Sequence, residues 1–163
     1  MKDEIRQILA ILMKDAYSAE KQATRVMQKA AREASAPELR DAIQVHIEET
    51  QTQIERLETI MEMMEVRPGR YVCEAMRGLA EEAGHDISAQ EQGPLRDLAI
   101  VASIQRIEHY EIASYGTNIA LADAIGEPKV VELLSQTLAE EKTTDAKMTD
   151  LTKSAILSKA LAG

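Results

Sequence analysis

The sequence predicts an all-α fold, a four-helix bundle, on three observations. The 163 residues include no Trp, no Phe, four Tyr and eight Met, and the many Ala, Leu, Ile, Glu and Gln favour helix over sheet. Apolar residues recur at helical spacing along four long segments. Pro or Gly stands at each break between them, where helices start and stop. A chain of this length is expected to form one domain, residues 1–163, with a real core.

The first helix runs from about residue 2 to 34, with Ile5, Leu9, Leu12, Ala16, Ala23, Met27 and Ala30 at helical spacing. Ser35 and Glu38 have capping-box spacing and Pro37 suits a first turn, so a second helix follows directly. It runs along Leu39, Ile43, Thr50, Leu57, Ile60 and Met64 to about Glu65, and Arg67-Pro68-Gly69 ends it. A shorter helix is expected from about Tyr71 to Ala83, closed by Gly84. Ser88-Ala89-Gln90-Glu91 reads as a second capping box, close before Gly93-Pro94, where the third long helix begins. That helix carries Val101, Ile104, Tyr115 and Ile119 and stops near Gly126. Pro128 opens the fourth, which continues to about Lys159 along Val130, Leu134, Thr137, Met148, Leu151 and Ala155.

Short links after helices one and three make antiparallel pairs, and the long middle link carries the short extra helix. Two hairpins joined by a long crossover are the ferritin-like arrangement of a four-helix bundle. Glu48-Glu49-Thr50-Gln51-Thr52-Gln53 also resembles Glu140-Glu141-Lys142-Thr143-Thr144-Asp145, a short match consistent with duplicated hairpins.

The net charge of −9 weighs against non-specific nucleic-acid binding, which needs a basic face. Cys73 is the only cysteine, so no intrachain disulfide forms, and a buried apolar role suits it. Met1-Lys2-Asp3-Glu4-Ile5-Arg6 starts an amphipathic helix without the apolar core of a signal peptide. No apolar run approaches the roughly 18 residues of a membrane span. The expectation is a soluble, cytoplasmic protein. Glycine-rich phosphate loops, paired-cysteine zinc spacings and nucleophile elbows are all absent.

Acids interrupt the apolar rows. Val101, Ile104, Glu108, Glu111 and Tyr115 share one stripe of helix three, and Val130, Leu134, Thr137, Glu141, Thr144 and Met148 one of helix four. Glu20 sits between Ala16 and Ala23 in helix one, and His46, Glu49 and Gln53 make helix two polar at its centre. Glu48, Glu55, Glu58, Glu62 and Glu140 fall off these rows and read as surface. Acids on core-facing rows are costly unless cations lie between them. Carboxylate and imidazole suit divalent iron and manganese, and bridging carboxylates hold two ions close together. Any one acid alone is better explained by outward rotation or by pairing with Arg25, Arg56 or Arg106, but four helices together favour a two-metal site. His46 precedes Glu49 by three residues, the reverse of Glu-x-x-His, and stays open between a ligand and a hydrogen-bonded interior histidine. Asp145, four residues after Glu141, is a substitute candidate; His109 is off the row and His85 is expected in a loop. Tyr17 and Tyr110 are read as packing residues, with hydrogen bonding to the ligands as the alternative.

Asp15-Ala16-Tyr17-Ser18-Ala19-Glu20-Lys21-Gln22, His46-Ile47-Glu48-Glu49-Thr50, Gln53-Ile54-Glu55-Arg56-Leu57-Glu58, Cys73-Glu74-Ala75-Met76-Arg77-Gly78-Leu79, Glu108-His109-Tyr110-Glu111-Ile112-Ala113 and Glu140-Glu141-Lys142 together resemble the YciE/YciF-type ferritin-like family. The resemblance covers nearly the whole chain and implies a bundle with a helical crossover, a homodimer and a bacterial stress role. More distantly the chain is similar to rubrerythrin, whose pattern implies Glu20, Glu49, Glu108, Glu111 and Glu141 as ligands. The histidines that rubrerythrin-like proteins place after the acids of helices two and four fall here on Thr52 and Thr144. The expectation is a di-iron or di-manganese carboxylate protein that meets a small oxidant, peroxide or dioxygen. The alternative is a non-enzymatic stress protein with a vestigial site. Mineral storage is weaker, since nothing indicates a cage.

Overall fold

A computed structural model describes residues 1–162, which form six α-helices and no strand. They are α1 (Lys2–Glu33), α2 (Pro37–Met63), α3 (Glu74–Ser88), α4 (Pro94–Ile125), α5 (Pro128–Leu151) and α6 (Leu157–Ala162). A π-helical turn, Thr152–Ile156, joins α5 to α6, so the last expected helix reaches its end with one widened turn. Four long helices make the bundle: α1 packs on α2 and α4, and α5 packs on α4 and α2. The crossover helix α3 lies against α4 and α1.

Proline opens α2, α4 and α5 in the first turn, where its missing N–H costs nothing. Gly126 ends α4 with φ +82°, a left-handed conformation that glycine adopts without Cβ strain. Four expected helix-end features differ. The Ser35–Glu38 capping box does not form: Ala36 is the N-cap of α2, and no side chain within that turn caps it. Instead the buried carboxylate of Asp97 in α4 accepts the N–H groups of Ser35 (2.7 Å) and Ala36 (2.9 Å). Gly84 does not close α3, which runs on to Ser88, so His85 is helical rather than in a loop. Packing against α4 outweighs the roughly 1 kcal/mol helix penalty of an interior glycine. Ser88 is no N-cap either: its hydroxyl turns back to the carbonyls of Gly84 (2.8 Å) and His85 (3.0 Å) at the end of α3. Cys73, placed inside this helix by its sequence, is instead its N-cap, accepting the Met76 N–H at 3.4 Å.

Asp97 ties the α1–α2 turn to the opposite hairpin. Asp97→Ala leaves two main-chain donors without their acceptor in a closed site, and the expected loss is about 2–4 kcal/mol. Chemical denaturation checks it, with Asp97→Asn as the milder comparison because its carbonyl oxygen still accepts.

Two apolar clusters fill the bundle. One joins Met27, Leu39, Ile43, Met76, Ile100 and Ile104 near the α1–α2 turn and α3. The other joins Leu9, Met13, Leu57, Ile60, Tyr115 and Leu134. Between them lies a layer of buried polar side chains, and no helix among the described residues is long and apolar enough to cross a membrane.

Candidate metal centre

Every bundle helix contributes to the polar layer. Glu20 comes from α1, His46 from α2, Glu108 and Glu111 from α4 and Glu141 from α5, all at most 3 % exposed. They form two groups that share one residue: His46, Glu108 and Glu141, and Glu20, Glu111 and Glu141. Within each group one ligating atom per residue lies within 4.8 Å of the others. His46 Nε2 is 3.1 Å from Glu108 Oε1 and 3.5 Å from Glu141 Oε2.

Four acids of the sequence rows therefore meet as expected, because steps of three and four residues keep each on the inner stripe of its helix. Glu49 does not join them. Its side chain is 41 % exposed and accepts from His46 Nδ1 at 3.1 Å. The inner stripe of α2 runs Ile43, His46, Thr50, Gln53 and Leu57, all buried, and Glu49 sits one position to its side. The signal was in the row itself, since Thr50 and Glu49 cannot both occupy it. Asp145 also lies outside both groups, holding Gln105 Nε2 at 2.9 Å and the exposed His109 Nε2 at 3.1 Å.

The imidazole comes from α2 at His46, the residue whose sequence position is open between a ligand and a hydrogen-bonded interior histidine. Thr144 stands where rubrerythrin-like spacing expects a histidine, and its Oγ1 lies 2.9 Å from His46 Nδ1. The ring crosses from α2 into the space that this short side chain leaves. Thr144 and Glu49 together hold the outer nitrogen, which leaves Nε2 aimed at the carboxylates. Tyr115, another partner not foreseen, donates its hydroxyl to Glu20. Its place on the Glu108–Glu111 stripe was the available clue. Tyr17 and Tyr110, read as packing residues, donate instead to Glu58 (3.0 Å) and Asp15 (2.6 Å), outside the centre. Glu140, assigned to the surface, is 27 % exposed and forms a two-pronged pair with Arg56 at 2.6 and 2.8 Å.

Burial controls the proton balance. It raises Glu20 to about 8, with the Glu141 charge adding to the effect. Glu111 is held well above the usual carboxylate range by burial and then by the charges of Glu20, Glu141 and Glu108. Glu108 is held up by burial and its contact with Glu141. Burial alone would lower His46, but bonds to Glu108 and Glu141 outweigh it and push the ring up to about 12. Burial opposes ionisation of Glu141 too, yet Glu108 and His46 hold it below its ordinary value. The centre is a low-dielectric store of protons around one ionised carboxylate.

The donor set fits divalent ions. Glu108 Oε2, Glu141 Oε1 and Glu111 Oε1 are buried without a hydrogen-bond partner, and Glu108 Oε1 and Glu141 Oε2 meet only the His46 ring, at 3.1 and 3.5 Å. Orphaned carboxylate oxygens at such depth are expensive unless a cation satisfies them. Glutamate oxygens with one imidazole nitrogen form a set suited to iron or manganese.

A family model described as "Domain of unknown function (DUF892)" matches residues 4–161. The chain is 47 % identical to Protein YciF of Escherichia coli (strain K12) over 148 residues, covering 90 % of this chain and 89 % of that protein. The crystal structure of the Escherichia coli stress protein YciF superposes with a TM-score of 0.86 at 46 % identity, covering 91 % of this chain and 94 % of the other. YcfI from Rhodopseudomonas palustris gives a TM-score of 0.85 at 36 % identity, with coverage of 89 % and 92 %. A two-domain Anabaena variabilis protein containing DJ-1/ThiJ/PfpI-like and ferritin-like domains matches all of this chain with 39 % of its own, at 15 % identity and a TM-score of 0.63. That last likeness concerns the fold alone: the all-helical chain has a ferritin-like bundle.

Proposed function

The chain belongs to the DUF892 family, and from that premise we propose that it is a di-metal carboxylate protein that meets peroxide or dioxygen under stress. The observation that carries this reading is the pair of buried ligand groups sharing Glu141. Glu20, His46, Glu108, Glu111 and Glu141 would hold two divalent ions, iron or manganese. Such ions, when bound, supply the electrons that reduce a small oxidant. The family relationship to a stress protein supports the setting. A homodimer, a cytoplasmic location and the absence of nucleic-acid or membrane partners belong to the same proposal.

The side chains around the centre have definite tasks. Glu141 belongs to both groups and is suited to bridge the ions. Tyr115 orients the Glu20 carboxylate, and Thr144 with Glu49 orients the His46 ring. The apolar clusters on either side keep bulk water from the acids, which strengthens every charge interaction between them. One observation favours a second reading, a structural stress protein that uses no metal. His46, protonated, is itself a buried cation among the carboxylates and supplies part of the missing positive charge.

Anaerobic loading with ferrous iron separates the two. Elemental analysis should find about two ions per chain, and hydrogen peroxide should then be consumed in proportion to bound iron. Fewer than about one ion per chain, with no peroxide consumption above buffer, would establish the structural reading instead.

A further inference from the structure

The outer face of α1 carries a second cluster of chemistry, unrelated to the acids on its inner face. Lys14, Lys21 and Arg25 follow one another at steps of seven and four residues, with Ser18 between them, so all four share one stripe. That stripe forms one wall of a cleft of about 450 Å³, whose other wall is the crossover ahead of α3 and the first turn of α3 itself. Tyr71 and Arg77 face the stripe from there. No Asp or Glu lines the cleft, although the chain as a whole carries a net charge of −9. Among the described residues Lys14, Lys21 and Arg25 have no ion-pair partner, while Arg77 contacts Glu74 at 2.5 Å.

The walls are held in register. Ser18 Oγ accepts the Cys73 N–H at 2.9 Å, and the Gln22 amide donates to the Cys73 carbonyl at 3.1 Å and to Ser18 Oγ at 3.2 Å. The Lys21 ammonium sits 5.0 Å from the centroid of the Tyr17 ring, which holds it over the cleft. Three cations without an ion-pair partner, on one wall of a cleft that no carboxylate lines, focus a positive potential into the space between the walls. Two of the cleft's four cations are guanidinium groups, whose planar fork matches phosphate oxygens.

We propose that this cleft binds a small molecule through a diphosphate group. Lys21 and Arg25 stand one helical turn, about 6 Å, apart along α1, a spacing that suits the two linked phosphoryl groups of a diphosphate better than a single phosphate or carboxylate. The volume falls within the roughly 300–1,000 Å³ of small-molecule sites and leaves room beside the anion for an organic part between Tyr17 and Tyr71. Inorganic pyrophosphate and a nucleoside diphosphate share the recognised chemistry and differ in that organic part.

Isothermal titration calorimetry with sodium pyrophosphate and, separately, adenosine diphosphate tests the site. At least one should bind saturably below about 10 mM, weakening as salt rises, and the tighter of the two identifies the source. The exposed double variant Lys21→Gln/Arg25→Gln, checked for unchanged helicity, should lose roughly tenfold or more in affinity. Lys129→Gln, on α5, and Glu141→Gln, in the candidate metal centre, should bind as the parent does. Absence of saturable binding for both anions would overturn the proposal. So would equal affinity in the double variant, loss of binding in Glu141→Gln, or citrate binding as tightly as either phosphate compound.

Discussion

Glu141→Gln is expected to abolish binding of both metal ions while the protein stays folded. Glu141 alone belongs to both ligand groups, and its buried oxygens have only the His46 ring, 3.5 Å from Oε2, to balance them. Glutamine keeps the volume of the side chain but removes its charge and half of its oxygen donors, so each ion loses a ligand at once. Changes to groups that merely orient a ligand cost about 10–100-fold in metal affinity, and loss of the shared ligand should exceed that range. Glu140→Gln is the matched control, one residue away but committed to Arg56 on the rim. It should load iron as the parent does. Two ions per chain in Glu141→Gln, measured after anaerobic iron loading, would contradict the shared-ligand geometry.

The metal-free protein should lose stability as pH rises, and Glu111→Gln should restore much of it. Glu20, raised from 4.5 to about 8, binds a proton in the folded chain that the unfolded chain releases near 4.5. Its contribution is whole below 4.5 and is lost as pH climbs through about 8. Glu108 and Glu111, raised well above 4.5, act in the same direction. His46 contributes fully below 6.5 and loses that contribution as pH rises toward about 12. Glu141 is lowered and acts oppositely, its contribution present above 4.5 and lost as pH falls. The folded state therefore binds more protons than the unfolded state above about pH 5, and unfolding free energy falls with pH.

Glutamine at position 111 is neutral at every pH, needs no proton uptake on folding and keeps a donor for Glu20. The expected gain over the parent is small near pH 5 and grows as pH rises to 8.5. Denaturant titrations of chelator-treated protein at both pH values provide the measurement. Equal loss of stability at both pH values would show that Glu111 has a structural cation or donor. Under metal the sign reverses, because the same substitution removes a ligand charge.

Much of this centre could be read from residue spacing. Glu20, Glu108, Glu111 and Glu141 interrupt otherwise apolar rows, and a regular helix keeps such rows on one face whatever lies opposite. Helix two was harder, because its polar centre sets His46, Glu49 and Gln53 side by side and only the wider Ile43–Thr50–Leu57 row fixes the phase that excludes Glu49. Glu49 and His46 both read as facing inward, with the ring open between a ligand and a hydrogen-bonded interior histidine. The structure turns His46 inward, since Thr144 is short enough to admit an imidazole from across the bundle. Residues 46 and 144 are far apart in sequence, and no local spacing relates them. The same holds for Asp97, which replaces the expected cap of α2 from α4, and for Tyr115 on Glu20.

Composition, helical period and Pro–Gly punctuation are local properties of a chain, and they sufficed for the four-helix bundle, its two hairpins, its crossover and the row acids. The rotation of α2, the donor of the imidazole, the partners of the ring and carboxylates, and the cationic cleft against the crossover depend on side chains meeting across helices. Those meetings are set by the volumes and charges of distant neighbours, which only packing brings into contact.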